Sequence, residues 1–319
     1  MCLTLCKNRK WGAVMNINIK LRATALVCIF ALLITSIGIS VSAKTDFTQS
    51  SLAASGSASA DSSGYTYIGG CTSYNKTSEN ELTFNCTNAR VVVKACASDI
   101  IKVWCEPGGK FSRKYPSFVV TDENISPVDM KVSDQGTYYK LQTSALEIRA
   151  YKSPFRLQYY DLNGNLLCKN NAAKGMGWNS KNEVVVWNDI SNGEHFWGLG
   201  EKTQEFDKNG LIVDQWGVDL GSPDNYAPTN ANGRWYGADP HFISSKGYSI
   251  YFDNTCRTRF NMGKTEKGVY SFGSSKPLPG GELLYYFIYG PSPKAIVKRF
   301  TDMSGKSFMP PLWAFGNMQ

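Results

Sequence analysis

The sequence predicts a mainly β protein built as a large antiparallel sandwich, and three observations carry that expectation. Short segments with period-two alternation or with β-branched and aromatic enrichment recur along residues 65–305. Each is broken by Gly, Asn, Asp or Pro, and only one convincing helix signal occurs, at the far end of the stretch.

The first 43 residues stand outside the pattern. Lys20 and Arg22 precede an apolar run from Ala23 to Val41, which closes on Val41-Ser42-Ala43. This basic, apolar, small-residue order is that of a secretory signal peptide, so cleavage after Ala43 and an extracellular location are expected. Met15 is a better initiator than Met1, because a short basic region leads from it straight into the apolar run. A single membrane anchor is the rival reading, since the run approaches the ~18 residues of a spanning helix. The leader carries Lys7, Arg9, Lys10, Lys20 and Arg22 and no acid, so its removal lowers the formal charge by five, from +8 to +3. The remaining cations are scattered among acids as on a solvated surface, which argues against a nucleic-acid partner. No membrane partner is expected after cleavage.

Residues 44–64 read as a disordered linker, because from Thr48 to Gly64 the chain is almost entirely Ser, Ala and Gly. Such a composition buries too little apolar surface to offset its ordering entropy. Past the leader lie six cysteines, Cys71, Cys86, Cys96, Cys105, Cys168 and Cys256. An even count in an exported chain permits disulfides, but their connectivity is not legible, and free buried thiols fit equally well. No C-x-x-C pair, Cys/His cluster or Gly-rich phosphate loop occurs, so no metal and no cofactor is expected.

Within the expected sandwich, residues 65–305, strands are predicted at Arg90 to Ala97, Ile100 to Cys105, Tyr138 to Thr143 and Leu146 to Tyr151. Apolar residues alternate from Phe155 to Tyr160, and Asp161-Leu162-Asn163-Gly164-Asn165 then turns the chain into Leu166-Leu167. Asn-Gly between such runs is a strong hairpin signal. Tyr248 to Asp253 and Leu283 to Tyr289 complete the set, the latter too apolar to be exposed on both faces. A helix is predicted over Pro293 to Ser304, with Ser292 as N-cap, Pro293 at the first position and Gly305 at the end. Ile296, Val297 and Phe300 are expected on its packed face. Phe308-Met309-Pro310-Pro311-Leu312-Trp313-Ala314-Phe315-Gly316 reads as a strand-like run opening a new domain at residues 306–319.

Several segments, in order, resemble glycoside hydrolase family 31. Phe196-Trp197-Gly198-Leu199-Gly200-Glu201-Lys202-Thr203 is similar to the family's Gly-Leu-Gly-Glu segment, and Trp216-Gly217-Val218-Asp219 to its Trp-Asn-x-Asp. Gly247-Tyr248-Ser249-Ile250-Tyr251-Phe252-Asp253-Asn254-Thr255 resembles the strand written Gly-Tyr-Gly-x-Phe-x-Asn/Asp. Tyr286-Phe287-Ile288-Tyr289-Gly290-Pro291-Ser292-Pro293 and Pro310-Pro311-Leu312-Trp313-Ala314-Phe315-Gly316 follow, the last resembling the start of the family's first barrel strand. The resemblance runs from about Asp99 to Gln319 and implies a galactose-mutarotase-like sandwich leading into a (β/α)8 barrel. It also implies retaining hydrolysis of α-linked sugars by an aspartate nucleophile and an aspartate acid/base, carboxyls about 5 Å apart. In the family both stand on barrel loops, so they are expected beyond Gln319, with no catalytic residue in this chain.

Asp219 is the candidate substrate-binding residue that the resemblance implies, on a sandwich loop reaching over the barrel to hydrogen-bond sugar hydroxyls. The long segment Gly221 to Gly233, without strand pattern, fits a binding loop. The competing reading of Asp219 is an aspartate capping its own turn. Trp235 is a second candidate, by stacking on a sugar ring, whereas Trp216 is assigned to the core. Glu201 and Lys202 read as structural support for the loop. His195 and His241 read as ordinary partly buried histidines, and Asp253 and Asn254 as turn formers at a strand end.

The expected function is that of the N-terminal fragment of a secreted α-glucosidase-like enzyme whose partner is an α-glucoside oligo- or polysaccharide. Competing readings are an α-transglucosylase of the same family and a non-catalytic carbohydrate-binding module. An aldose epimerase rests on fold analogy alone.

Overall fold

Alternation of apolar and polar side chains commits successive segments to strands with one face for the core and one for another layer or for water. A computed structural model of the chain describes residues 64–107, 117–120, 128–181, 183–217, 237–274 and 283–316. The expected leader and nearly all of the linker lie outside these residues, as do Asp219 and Trp235.

The eight-stranded sheet runs in the order β13 (Phe196–Gly198), β15 (His241–Ser244), β16 (Tyr248–Phe252), β19 (Leu283–Tyr289), β5 (Ile100–Pro107), β4 (Ala89–Ala97), β3 (Glu81–Cys86) and β2 (Cys71–Ser78). A six-stranded sheet has the order β1 (Tyr65–Tyr67), β11 (Met176–Asn179), β12 (Val184–Asp189), β18 (Val269–Ser274), β17 (Thr258–Met262) and β14 (Ile212–Gln215). A five-stranded sheet follows β10 (Leu166–Lys169), β9 (Phe155–Asp161), β8 (Leu146–Lys152), β7 (Tyr138–Gln142) and β6 (Lys131–Asp134). Neighbouring strands in all three are antiparallel, as expected of a sandwich.

The five- and six-stranded sheets meet at a bridge between Asn170 and Asn188 and together oppose the eight-stranded sheet. The core lies between. Tyr159 of β9 stacks on Phe287 of β19 at 4.0 Å, and Phe272 of β18 meets Tyr285 of β19 edge-on at 5.4 Å, so both smaller sheets touch the same central strand. Each fully buried aromatic or aliphatic side chain here contributes about 1.5–3 kcal/mol.

Strand β19 is buried on both faces, as its composition requires. Leu283, Tyr285 and Phe287 enter the core; Tyr286 and Ile288 enter a smaller outer cluster with Cys96, Ile100, Tyr251 and Met303. Helix α1 (Pro293–Ser304) covers that outer face. Its cap forms as predicted, with the Ala295 amide donating to Ser292 Oγ at 3.3 Å. The packed face differs from the expectation: Ile296, Phe300 and Met303 turn inward at i, i+4 and i+7, while Val297 is 47 % exposed. One residue further along a helix is a rotation of about 100°, which carries Val297 off the stripe.

The hairpin at Asn163-Gly164 forms around Asp161. Its Oδ1 accepts from the Asn163 amide at 2.9 Å and the Asn165 amide at 2.8 Å, and Gly164 takes φ 82°. Phe308 to Gly316 is not a strand. It holds one 3-10 turn, Leu312–Phe315, with Phe308, Met309, Leu312, Trp313 and Phe315 exposed. Among the described residues no strand lies beside it, and an extended segment without a partner gains no ladder of hydrogen bonds. Among the described residues no helix is long and apolar enough to cross a membrane.

Candidate functional site

The Gly-Leu-Gly-Glu segment lies at the end of β13, beside the end of β14. Gly198, Leu199 and Gly200 take φ of 108°, 65° and 80° in succession. A non-glycine residue with positive φ persists only where its surroundings hold it there. Leu199 is held by burial of its side chain, by its amide donating to His241 O at 2.8 Å, and by Gln215 Nε2 donating to its carbonyl at 3.1 Å. Glycine is required on either side: a Cβ at Gly198 would lie 2.7 Å from His241 O, and one at Gly200 only 1.7 Å from Gly237 O.

This corner grips both flanks of residues 218–236. On the outgoing side Gln215, the last residue of β14, is tied to Leu199. On the returning side Gly237 and Asp239 pack against Gly200 and Glu201. Asp219 and Trp235 fall between these flanks in sequence. Trp216 is 44 % exposed rather than in the core, because the chain leaves β14 at Gln215 and, among the described residues, no second layer covers the next side chain.

Beneath the outgoing flank lies a buried charge cluster. Asp214 is fully buried and accepts from Arg259 Nε at 2.6 Å, Arg259 Nη2 at 2.9 Å and Arg257 Nη2 at 3.1 Å. Asp214 and Arg259 are directly opposite each other on β14 and β17. A bidentate carboxylate–guanidinium pair fixes orientation as well as charge. Lys202 stands close by; burial lowers its pKa, and the carboxylates of Asp214 and Asp239 oppose that shift. Asp239 is still open to water, yet the protein crowding it draws its carboxyl up to about 6, with Lys202 pulling the other way. Glu201 is exposed at the same corner.

The two histidines are not partners in a site. His195 is exposed rather than half-buried, and its Nδ1 lies 2.6 Å from Asp207 Oδ2. Asp207 Oδ1 also accepts the amides of Phe196 and Asn209, so the pair belongs to a turn. His241 is buried, stacked on Phe300 at 4.1 Å, and burial drops its pKa to about 4. Asn254 caps its turn by accepting the Cys256 amide at 2.7 Å.

A second buried network runs through the sandwich interior. Glu194 accepts from Ser244 Oγ at 2.5 Å, Tyr248 Oη at 2.8 Å and the Ser191 amide at 2.8 Å. The Tyr248 and Tyr270 hydroxyls lie 3.0 Å apart, and Cys168 Sγ is 3.3 Å from Tyr270 Oη. Burial raises the Glu194 carboxyl, against the hydrogen bonds that favour its charged form. The network is enclosed, so its effect is on packing. Among the described residues no cluster of His, Cys, Asp or Glu is arranged to hold a metal ion.

Neither Asp214–Arg259 nor Glu194 was singled out in the sequence. The signal for the first was present: single charges of opposite sign, Asp214 and Arg259, each next to a core residue, Val213 and Phe260, and so on the face of the strand opposite the core. Nothing local marks Glu194 as the centre of a network, because its side-chain partners Ser244 and Tyr248 are about fifty residues away.

The sheet order and this glycine corner define a class, the galactose-mutarotase-like β-sandwich. The family model of the glycosyl hydrolase 31 N-terminal galactose mutarotase-like domain matches residues 90–261, and the chain belongs to that family. It is 31 % identical over 245 residues to alpha-glucosidase 2 of Bacillus thermoamyloliquefaciens, covering 76 % of this chain and 30 % of the relative. An isomaltosyltransferase of Sporosarcina globispora is 29 % identical over 197 residues, covering 58 % of this chain and 17 % of that one. Among solved structures, a GH31 dextranase of Flavobacterium johnsoniae, complexed with isomaltotriose, superposes with a TM-score of 0.71 at 33 % identity, over 79 % of this chain and 30 % of the dextranase. The chain thus spans less than a third of the length of these relatives.

Proposed function

We propose that this chain is the N-terminal sandwich of a secreted retaining α-glycosidase acting on α-linked oligo- or polysaccharides, with residues 218–236 contributing Asp219 to the sugar site. The observation that carries this reading is the grip of the Gly198–Glu201 corner on both flanks of that segment. A segment held at both ends presents a side chain at lower entropic cost than a free one. Asp219 then accepts hydrogen bonds from sugar hydroxyls, and Trp235 offers an apolar ring face for stacking.

The chemistry of the proposed whole enzyme needs a carboxylate nucleophile and a carboxylic acid flanking the glycosidic bond, about 5 Å apart. Residues 1–319 carry no pair in a motif resembling the family's, so by themselves they turn over no glycoside. Positioning without a nucleophile supplies no covalent step. Transfer to a sugar acceptor is the second reading, favoured by the similarity to an isomaltosyltransferase; hydrolysis and transfer share one glycosyl-enzyme intermediate and differ in the acceptor.

The test is Asp219→Ala in the whole enzyme that contains this chain. Loss of one hydrogen bond made by a charged group corresponds to about 1.5–3 kcal/mol, so kcat/KM for an α-glucoside should fall about 10- to 150-fold, with the melting temperature unchanged. Unchanged kcat/KM would remove Asp219 from the site. Export is checked separately, by N-terminal sequencing of secreted material, which should begin at Lys44.

A further inference from the structure

Strands β2 and β3 pair with Cys71 directly opposite Cys86. The Thr87 amide donates to Gly70 O at 2.9 Å. A bond between the residue after one cysteine and the residue before the other marks this as a non-hydrogen-bonded pair, the kind that holds facing side chains closest. Cα atoms at such positions are about 4.5 Å apart, inside the range of about 4.4–6.8 Å that a disulfide spans. Both thiols pack against the rim of the core, half-buried rather than sealed, and Cys71 Sγ donates to Ser73 O at 3.3 Å. The next thiol, Cys105, is on β5 with β4 between. Two strand spacings of about 4.8 Å put it beyond the reach of a disulfide to Cys86.

We propose that Cys71 and Cys86 are a modification site that closes to a cross-strand disulfide on meeting a low-molecular-weight disulfide. Cys71 Sγ, as thiolate, attacks one sulfur of the oxidant R–S–S–R; the S–S bond breaks, and R–S⁻ leaves and takes up a proton. Cys86 then gives up its proton and attacks Cys71 Sγ in the mixed disulfide, expelling the second R–S⁻. Two protein thiols are oxidised to one disulfide, and the oxidant is reduced to two thiols. Cys71 suits the attacking role: the facing Cys86 thiol holds it below the ordinary thiol range, Lys152 adds to this, and Cys86 is raised in return. The product would staple β2, the outermost and mostly exposed strand of its sheet, at the open end of the β2–β3 hairpin.

The experiment treats the full chain, first reduced, with oxidised glutathione, then denatures it, alkylates the remaining thiols and maps the peptides by mass spectrometry. The expected product is a peptide linking Cys71 to Cys86, lighter than the reduced pair by two hydrogens, with both sulfurs absent from the alkylated fraction. In Cys71→Ser the cross-link is lost, and Cys86 is recovered alkylated or carrying one glutathione. The proposal is overturned if Cys71 and Cys86 remain alkylatable after oxidation, if each stops at a glutathione adduct, or if either is joined to a different cysteine.

Discussion

Gly200 and Gly210 share the same φ of 80°, and they differ in what an added methyl group would meet. At Gly210 a Cβ meets nothing within 4 Å; at Gly200 it would lie 1.7 Å from Gly237 O and 2.9 Å from Gly237 C. Gly210→Ala therefore carries only the backbone cost of a left-handed alanine, about 1–2 kcal/mol. Gly200→Ala carries that cost plus an overlap with main chain, which no rotamer change relieves. Such overpacking adds about 1–3 kcal/mol or more. At roughly 2–4 °C per kcal/mol for a domain of this size, Gly210→Ala should lower the melting temperature by about 2–8 °C and Gly200→Ala by about 4–20 °C. The informative quantity is the difference between the two in one calorimetric series, since the backbone strain cancels. Equal losses would refute the claim that Gly200 is pressed against the returning flank at Gly237.

Asp214→Ala removes the acceptor of three hydrogen bonds from Arg257 and Arg259 and should cost about 3–5 kcal/mol, read as a lowered urea midpoint; a loss within the range of a surface ion pair would contradict the buried geometry. His241 has its folded-state pKa lowered to about 4 by burial, so the folded protein binds fewer protons than the unfolded chain between pH 6.5 and 4. Stability attributable to it is present above pH 6.5 and lost as the pH falls, by about 2 kcal/mol at pH 5. His241→Phe, which keeps a ring against Phe300, should flatten that part of the pH profile of unfolding, and an identical profile in both proteins would dismiss the assignment.

How much of this was legible in the sequence follows from how each element is buried. β4, β5, β9 and β19 announce themselves because at least one face enters the core and the residue pattern carries the alternation. β2, Cys-Thr-Ser-Tyr-Asn-Lys-Thr-Ser, does not, since an edge strand exposed over most of its length needs no apolar face. The helix ends were readable from Ser292, Pro293 and Gly305, whereas the orientation of Val297 depended on which stripe met the sheet. The Gly198–Glu201 corner was legible only as a motif. Its glycines were visible, but the positive φ of Leu199 is set by tertiary contacts with His241 and Gln215 that no local pattern encodes.

The corner at Gly198–Glu201 also bears on how such a protein can change over generations. Both flanks of residues 218–236 are fastened at this corner, so the ends of that segment stay in place when the sequence between them changes. Doubling the length of a tethered segment costs only about 0.6 kcal/mol of closure entropy. On that ground, changes of length and sequence between the two flanks are expected to be tolerated more readily than changes at the corner itself. On the proposed function, new preferences among sugars would become reachable by small steps, without passing through an unfolded ancestor.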